Sequence, residues 1–325
     1  MSGKRDGVFE FRIQIVLPMI GAVSLLSHCL VSGEPQPLRP GPDPQWVTPP
    51  VVAPRLHYQT FHSTVAGTDV SYHIYTPEVY DTEVNQRFPV IYWLHGHQGG
   101  LAGFRFLTNH FDTAIRTGWI PPLLVVFPNG MYEGMWCDWK NGRGPIETVV
   151  ITELIPHIDA TYRTIASRNG RLIEGFSMGG YGAARLGFKY SKLFAGISIL
   201  AGGPLQHVMD EFPPRVSPQT RKRVMENVYG GDIEYFKALS PWELAQINAE
   251  ALSDDINIRV QIGEDDEMLA VTRQFDAHLT DLAIPHTFTV VPAVGHQPGI
   301  FLRLQGESET YWDFYRNPFS PRDKT

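Results

Sequence analysis

A serine between glycines is the strongest chemical signal in this sequence: residues 175–179 read Gly-Phe-Ser-Met-Gly and follow an apolar run. A G-x-S-x-G segment between a strand and a helix is typical of a sharp, strained turn that exposes the serine hydroxyl as a nucleophile. The first turns of the helical pattern behind it hold four small residues that would let helix and strand approach closely, Gly180, Gly182, Ala183 and Ala184. An N-cap serine is the competing interpretation, but it does not explain the glycine on each side. We therefore interpret Ser177 as a nucleophile.

A serine nucleophile needs a base to take its proton and an acid to orient that base. On such a scaffold the chain order is serine, acid, histidine, each in a loop after a strand. Asp266 lies three residues after a strand-like run that ends at Gly263, and His296 follows the next such run. Position alone distinguishes His296 among the 12 histidines of the chain. Asp266 is the preferred acid, with Asp265 and Glu264 as alternatives, and either aspartate is also a candidate helix cap.

A glycine-rich loop at residues 95–100 follows the apolar run 88–94. Acyl transfer requires backbone N–H groups directed at the developing oxyanion, and a glycine-rich loop can turn its N–H groups inward. The predicted donors are the N–H groups of His97 and Met178. The spacing His95-x-His97 also suits zinc, but no third histidine or carboxylate at helical spacing completes a ligand set, so neither a metal nor another cofactor is expected.

Short apolar runs bounded by turn residues alternate with helical patterns along the chain. The runs predict buried parallel strands at 88–94, 123–128, 171–176, 194–200 and 257–263, and 69–76 alternates as a half-exposed strand. Helical patterns lie at 146–162, 178–190 and 267–282, with a capping box from Ser240 to Glu243. This alternation predicts an α/β fold with a doubly wound, mostly parallel sheet in one catalytic domain, residues 57–317.

The N-terminus has a different composition. Lys4, Arg5 and Arg12 precede an apolar stretch at 13–30, a pattern typical of an export signal, so residues 1–33 are predicted to be a signal peptide and the protein to be secreted or periplasmic. An uncleaved membrane anchor is the alternative. A lipoprotein ranks third, because the residue before Cys29 is a histidine rather than a small residue.

Proline-rich residues 34–56 predict an extended linker without a core of its own, and residues 318–325 a C-terminal tail. The chain has two cysteines, and signal cleavage would leave Cys137 alone, which excludes a disulfide framework and predicts a buried, inert thiol. The oligomeric state is not predicted.

The formal net charge is -7, and lysines and arginines are scattered, so neither nucleic acid nor a membrane partner beyond the export signal is expected. A small or neutral substrate suits this balance better. Trp136, Trp139 and Tyr132 follow the strand at 123–128 and could offer flat faces to a sugar or a phenolic ring, or could equally pack the edge of the domain. The segment 203–255 lies where inserted helices would cover a pocket and set its specificity.

Several stretches together resemble the esterase branch of the α/β hydrolases, which includes feruloyl and acetylxylan esterases, S-formylglutathione hydrolase and the mycolyltransferases. The similarity runs from about Phe61 to Phe314 through "FPVIYWLHGHQGG", "WCDWKNG", "GFSMGGYGAARLG", "IGEDDEML" and "GHQPGIF". The resemblance implies the roles assigned above: Ser177 as nucleophile, Asp266 as acid, His296 as base, and the N–H groups of His97 and Met178 as the oxyanion hole. Family members often have an aromatic residue shortly after the histidine, where this chain has Gln297-Pro298-Gly299, so the leaving-group side of the pocket is expected to differ.

These observations favour a secreted serine carboxylesterase acting through an acyl-enzyme, with acetyl or feruloyl esters of polysaccharides, or small-molecule esters, as substrates. Acyl transfer to a sugar acceptor is the first alternative. A non-catalytic binding protein that retains the fold is the second, and no missing member of the predicted triad supports it.

Overall fold

The computed structural model describes residues 43–206, 216–253 and 256–316. Eight strands form one sheet in the order β1-β2-β4-β3-β5-β6-β7-β8. Their bounds are β1 Leu56–Ser63, β2 Thr68–Tyr75, β3 Val90–Leu94, β4 Leu124–Pro128, β5 Arg171–Phe176, β6 Gly196–Leu200, β7 Asn257–Gly263 and β8 Thr287–Val291. β2 pairs antiparallel with both β1 and β4, and the other neighbours are parallel. The predicted α/β fold with a mostly parallel sheet is confirmed.

Helices connect the strands and cover both faces of the sheet. Those in the described residues are α1 Val79–Thr82, α2 Phe104–Arg116, α3 Ile146–Thr148, α4 Ile155–Thr161, α5 Met178–Lys189, α6 Pro218–Asn227, α7 Ile233–Ala238, α8 Pro241–Ile247, α9 Ala249–Ser253, α10 Leu269–Asp281, α11 Pro298–Gln305 and α12 Glu309–Arg316. A π-helical turn, Val149–Leu154, joins α3 to α4, so the helical pattern at 146–162 is one continuous helix with a widened middle.

Alternate side chains of the central strands supply two separate cores. Val90 and Tyr92 of β3 lie in one hydrophobic cluster with Tyr181 of α5. Ile91 lies in the other, with Phe111 of α2. Because side chains alternate across a strand, a strand covered by helices on both faces is apolar throughout, as the sequence runs predicted.

The carboxyl ends of the parallel strands meet at one edge of the sheet, where ligands bind in open α/β folds. β3 leads there into the loop of His97, and β5 into the turn of Ser177. β7 and β8 lead into the loops of Asp266 and His296. The four predicted residues therefore come from neighbouring loops on one edge.

Residues 43–54 pack on the domain, so the folded domain begins before residue 57, the start that the sequence predicted after an extended linker. Trp46 is buried in the core, and its carbonyl accepts a 2.9 Å hydrogen bond from the N–H of Ser71. Further along, the N–H of Val51 donates to Nε2 of His73 over 2.9 Å. The proline content predicts an extended backbone for this segment. It does not predict the burial of Trp46, because that burial depends on tertiary contacts.

The predicted signal peptide at 1–33, the first part of the linker and the tail at 318–325 lie outside the described residues. Within those residues, no helix combines the length and the apolar character needed to cross a membrane.

A buried ion pair fastens α5 to α3. Arg185, which has no exposed side-chain surface, pairs with Glu147. Glu147 also accepts 2.6 Å hydrogen bonds from Lys189 Nζ and from the Tyr190 hydroxyl. Burial alone would raise the pKa of Glu147, but the charge of Arg185 and these hydrogen bonds hold that pKa below its ordinary value.

Replacing Glu147 with glutamine is expected to destabilise the fold by about 3–5 kcal/mol, because it leaves the Arg185 guanidinium buried without a counter-charge. Since the pKa of Glu147 is lower in the folded than in the unfolded chain, its contribution is present above the unfolded pKa and is lost as the pH falls through the folded pKa. Urea unfolding of both proteins over a pH series should show a gap that narrows on acidification. A gap that is independent of pH would contradict this account, and Glu234→Gln, in an exposed ion pair, is the control.

Candidate active site

Ser177 forms the turn between β5 and α5 in a strained conformation. Its backbone angles, φ 61° and ψ −122°, lie in a region that residues other than glycine rarely adopt. The Ser177 N–H donates to the Leu200 carbonyl over 3.0 Å, and its carbonyl accepts from the N–H groups of Tyr181 and Gly203 at 3.0 and 3.1 Å. Because both its N–H and its carbonyl are hydrogen-bonded, the backbone of Ser177 is held in this conformation.

The glycines around Ser177 are required by close backbone approach. A Cβ on Gly179 would lie 1.8 Å from the Leu94 carbonyl oxygen at the end of β3, and one on Gly175 would lie 2.3 Å from the Gly179 carbonyl oxygen. A Cβ on Gly96 would lie 3.4 Å from that of Ser177, so the glycine-rich loop passes directly beside the serine side chain. Helix, strand and loop thus converge on Ser177.

His296 and Asp266 form a hydrogen-bonded pair at the same edge. Nδ1 of His296 lies 2.7 Å from Oδ2 of Asp266, and Oδ1 accepts from the Met268 N–H at 3.0 Å. Both side chains are almost fully buried, at 7% and 0% exposure, whereas Asp265 is exposed. Because a carboxylate only accepts, Nδ1 carries the proton and Nε2 is left as a proton acceptor. Of the two competing aspartates, the structure brings Asp266 to the histidine.

Ser177 and His296 line two cavities. The larger one, about 740 Å³, is predominantly apolar. Its apolar side chains come from β3, β5, α2, α11 and the loops beside them: Trp93, Leu101, Phe104, Phe106, Leu107, Phe176 and Leu302. The smaller one, about 380 Å³, includes polar side chains of α6 and the loop before α10, among them Thr220, Arg221 and Glu267. We call these the apolar cavity and the α6 cavity. The serine lies where they meet.

His97 and Met178, the predicted oxyanion donors, lie beside the serine. Met178 follows it in the chain, and His97 lines both cavities with it. In the loop after His97, Gln98 and Gly100 adopt left-handed backbone angles, with φ of 73° and 64°. The donor role of the two N–H groups stays a prediction.

His95 braces this loop from inside the protein. Its Nε2 accepts from the Gly130 N–H at 3.0 Å, and Nδ1 lies 2.8 Å from the Gly96 carbonyl oxygen. Burial lowers the pKa of His95 to about 4, so the ring is neutral and makes both bonds at neutral pH. The two histidines of the His-x-His spacing therefore have different surroundings, one buried and one exposed.

The family model described as "Putative esterase" matches residues 63–297. The chain belongs to this esterase family. An esterase of Mycobacterium tuberculosis is 29% identical over 281 residues, covering 78% of this chain and 59% of the relative. The chain therefore spans well under two thirds of that relative's length.

A second relative of this chain is an endo-1,4-beta-xylanase/feruloyl esterase of Xylanibacter ruminicola. It is 31% identical over 161 residues, which is 44% of this chain and 21% of the relative. Among solved structures, a ferulic acid esterase superposes with a TM-score of 0.65 at 21% identity, covering 80% of this chain and 98% of the other. The fold of this chain is therefore of the α/β-hydrolase type that the sequence resemblance implied.

Trp136 of this esterase-family chain is fully buried, so the prediction that it contacts substrate is wrong. Its Nε1 donates to the His95 carbonyl over 3.1 Å, and its indole packs so closely on α5 that a Cβ on Gly182 would lie 2.5 Å from the ring. Trp136 therefore packs between α5 and the loop that contains His95.

Trp139 is 8% exposed and lines a third cavity of about 500 Å³, together with Tyr132, Gln98 and the docked N-terminal segment. Tyr132 is 57% exposed. A substrate contact of Trp139 therefore stays a prediction.

Sequence patterns did not single out Glu133, although its carboxylate contacts His97. Oε1 of Glu133 lies 2.7 Å from Nε2 of His97. No periodicity or motif marks the residue, which stands in an irregular loop between Tyr132 and Gly134.

Proposed function

We propose that this chain is a serine carboxylesterase that works through an acyl-enzyme. The observation that carries the proposal is the buried His296–Asp266 pair on the cavities that Ser177 lines from its strained turn. These residues offer a nucleophile, a base and an orienting acid, the three groups that acyl transfer by serine needs. Membership of the esterase family supports the same reaction.

In the proposed mechanism, Ser177 Oγ attacks the ester carbonyl carbon while Nε2 of His296 takes the hydroxyl proton. The negative charge that develops on the carbonyl oxygen is stabilised by the N–H groups of His97 and Met178. Collapse of this intermediate breaks the bond to the alcohol oxygen, and His296 returns its proton to the leaving alcohol. Asp266 keeps the imidazole oriented and stabilises its positive charge.

Water then repeats the sequence on the acyl-enzyme. His296 takes a proton from the attacking water, the acid is released, and the proton returns to Ser177. Because only the neutral imidazole can accept a proton, hydrolysis is expected to fall on acidification.

The apolar cavity suits the acyl part of the ester. Its aromatic and aliphatic walls, with Phe104, Phe106 and Leu302 among them, favour a bulky apolar or aromatic acyl group over acetate. The feruloyl esterase relative and the ferulic acid esterase neighbour are named for such an acyl group. We therefore propose arylacyl esters of carbohydrates or small alcohols as substrates.

The test is a panel of p-nitrophenyl esters of increasing acyl size, feruloyl methyl ester and acetylated xylan. We expect turnover of the esters, with higher kcat/KM for hydrophobic acyl groups than for acetate. Labelling by a fluorophosphonate, located by mass spectrometry, reports the nucleophile independently of the substrate. A folded protein that neither turns over an ester nor takes the label would refute the esterase proposal. Labelling without turnover would leave the nucleophile in place and refute the choice of substrates.

The basic and apolar pattern of residues 4–30 supports export of this esterase. N-terminal sequencing of the protein recovered outside the producing cell tests this, since an intact N-terminus there would contradict a cleaved signal.

A further inference from the structure

The oxyanion loop, residues 96–100, is fastened to a second loop through a side chain. Nε2 of His97 lies 2.7 Å from Oε1 of Glu133, and the ring of His97 stands edge-on to Tyr132 at 5.2 Å between centroids. The Gln98 N–H donates to the Tyr132 carbonyl over 2.8 Å. Two hydrogen bonds and one ring contact thus join residues 97–98 to residues 132–133.

The Glu133 carboxylate also accepts hydrogen bonds from a second partner, Arg223. Arg223 donates from Nε to Oε2 at 2.8 Å and from Nη2 to Oε1 at 2.5 Å, which is a two-pronged ion pair. The Glu133 side chain is only 14% exposed. Burial alone would raise the pKa of Glu133, but the hydrogen bonds from Arg223 and His97 hold it below its ordinary value, so the carboxylate is charged at neutral pH.

Arg223 belongs to α6, the helix that also lines the cavity beside the serine. Thr220 and Arg221 of the same helix line the α6 cavity together with Ser177 and His97. Glu133 therefore stands between the oxyanion loop on one side and α6, a wall of the α6 cavity, on the other.

We propose that Glu133 is a positioning residue for the oxyanion hole: it anchors His97 and ties the oxyanion loop to α6. The inference rests on the proposed function, because it concerns the placement of the His97 N–H that would stabilise the oxyanion. Such a donor acts at 2.7–3.1 Å from the oxyanion, and a misplacement of about 1 Å can cost about 100-fold in rate. His97–Gly99 form only a single 3-10 turn, within which Gln98 has left-handed backbone angles, so side-chain contacts such as those of Glu133 contribute to holding the loop.

Three substitutions distinguish the contact of Glu133 with His97 from its contact with Arg223. Glu133→Ala removes the bonds to both partners, His97 and Arg223, and is expected to lower kcat about 10- to 100-fold with KM changed by no more than about threefold. Glu133→Gln keeps an oxygen that accepts from His97 and should recover most of the loss. Arg223→Met frees the carboxylate from α6 and should give an intermediate loss.

The control is Lys140→Met, which breaks an ion pair with Asp232 between a nearby loop and α7 and does not touch the oxyanion loop. It should leave kcat within about twofold. Binding of a boronic acid, which forms a tetrahedral adduct on the serine, should weaken in parallel with kcat/KM in Glu133→Ala. Binding of the corresponding carboxamide, whose neutral carbonyl oxygen carries no full negative charge, should change less.

Hydrogen exchange of residues 96–100 gives a readout that needs no substrate. Faster exchange there in Glu133→Ala, without a change in Lys140→Met, supports the anchor even if no ester is turned over, and absent turnover would then count against the proposed function alone. Unchanged exchange together with unchanged kcat in Glu133→Ala would overturn the inference. If that variant does not fold, Arg223→Met carries the test with Glu133→Gln as its near-wild-type reference, and no effect in Arg223→Met would overturn the link to α6.

Discussion

Ser177→Ala is expected to lower kcat for ester hydrolysis by at least about 10⁴-fold, the largest effect of any substitution in this protein. The change removes the one oxygen that would form the acyl-enzyme bond, while the walls of both cavities and the oxyanion loop stay in place. Binding of substrate should therefore be retained. What remains is the modest catalysis that binding and oxyanion stabilisation give without a nucleophile.

Steady-state assays with the most active ester of the panel measure the decrease in kcat. Mass spectrometry should show that the variant is no longer labelled by the fluorophosphonate. Position 177 has a positive φ that disfavours alanine as much as serine, so the melting temperature of the variant should match that of the wild type. Ser253→Ala, an exposed serine at the end of α9, is the control for a lost hydroxyl. Retained turnover in a folded Ser177→Ala protein would exclude this serine as the nucleophile.

Buried strands were predictable because their runs are short, apolar and bounded by turn residues. Two of the predicted runs, 171–176 and 257–263, coincide with β5 and β7. β1 was missed because most of its residues are exposed or half-exposed, so no apolar run marks it. The strand at 69–76 was identified, but six of the eight residues of β2 are buried rather than half of them. Its faces are covered by helices and by the docked N-terminal segment: His73 packs on Phe104 of α2 and accepts from the Val51 N–H, and Tyr72 contacts His157 of α4. These are tertiary contacts.

The candidate site was predictable as far as chain order and strand ends determine it. Position in the chain could rank Asp266 above Asp265 but not separate them physically, because both follow the same strand and differ only in the direction in which the turn points their side chains. For Trp136 the sequence does not decide between substrate contact and packing, because an aromatic residue in a loop looks the same in sequence whether it is exposed or buried. Glu133 was missed because its partners lie 36 and 90 residues away in the chain.

Asp266→Asn is expected to lower kcat by about 10⁴-fold, whereas Asp265→Asn should leave it within about twofold. The carboxylate of Asp266 accepts from Nδ1 of His296 at 2.7 Å and so leaves Nε2 free to take the serine proton. An asparagine can turn its amide N–H toward Nδ1, which would move the imidazole proton to Nε2 and remove the base. It also removes the negative charge that stabilises the imidazolium in the transition state.

The comparison is sharp because the two aspartates are neighbours with opposite surroundings. Asp266 is buried against the histidine, and Asp265 is exposed at the same turn, so identical substitutions differ only in the group they alter. Measuring kcat/KM for both variants, with melting temperatures to verify folding, distinguishes the outcomes. The reverse ranking would assign the acid to Asp265. Small effects in both would mean that turnover does not depend on the His296–Asp266 bond, which would refute Asp266 as the acid and leave the nucleophile to be decided by Ser177→Ala.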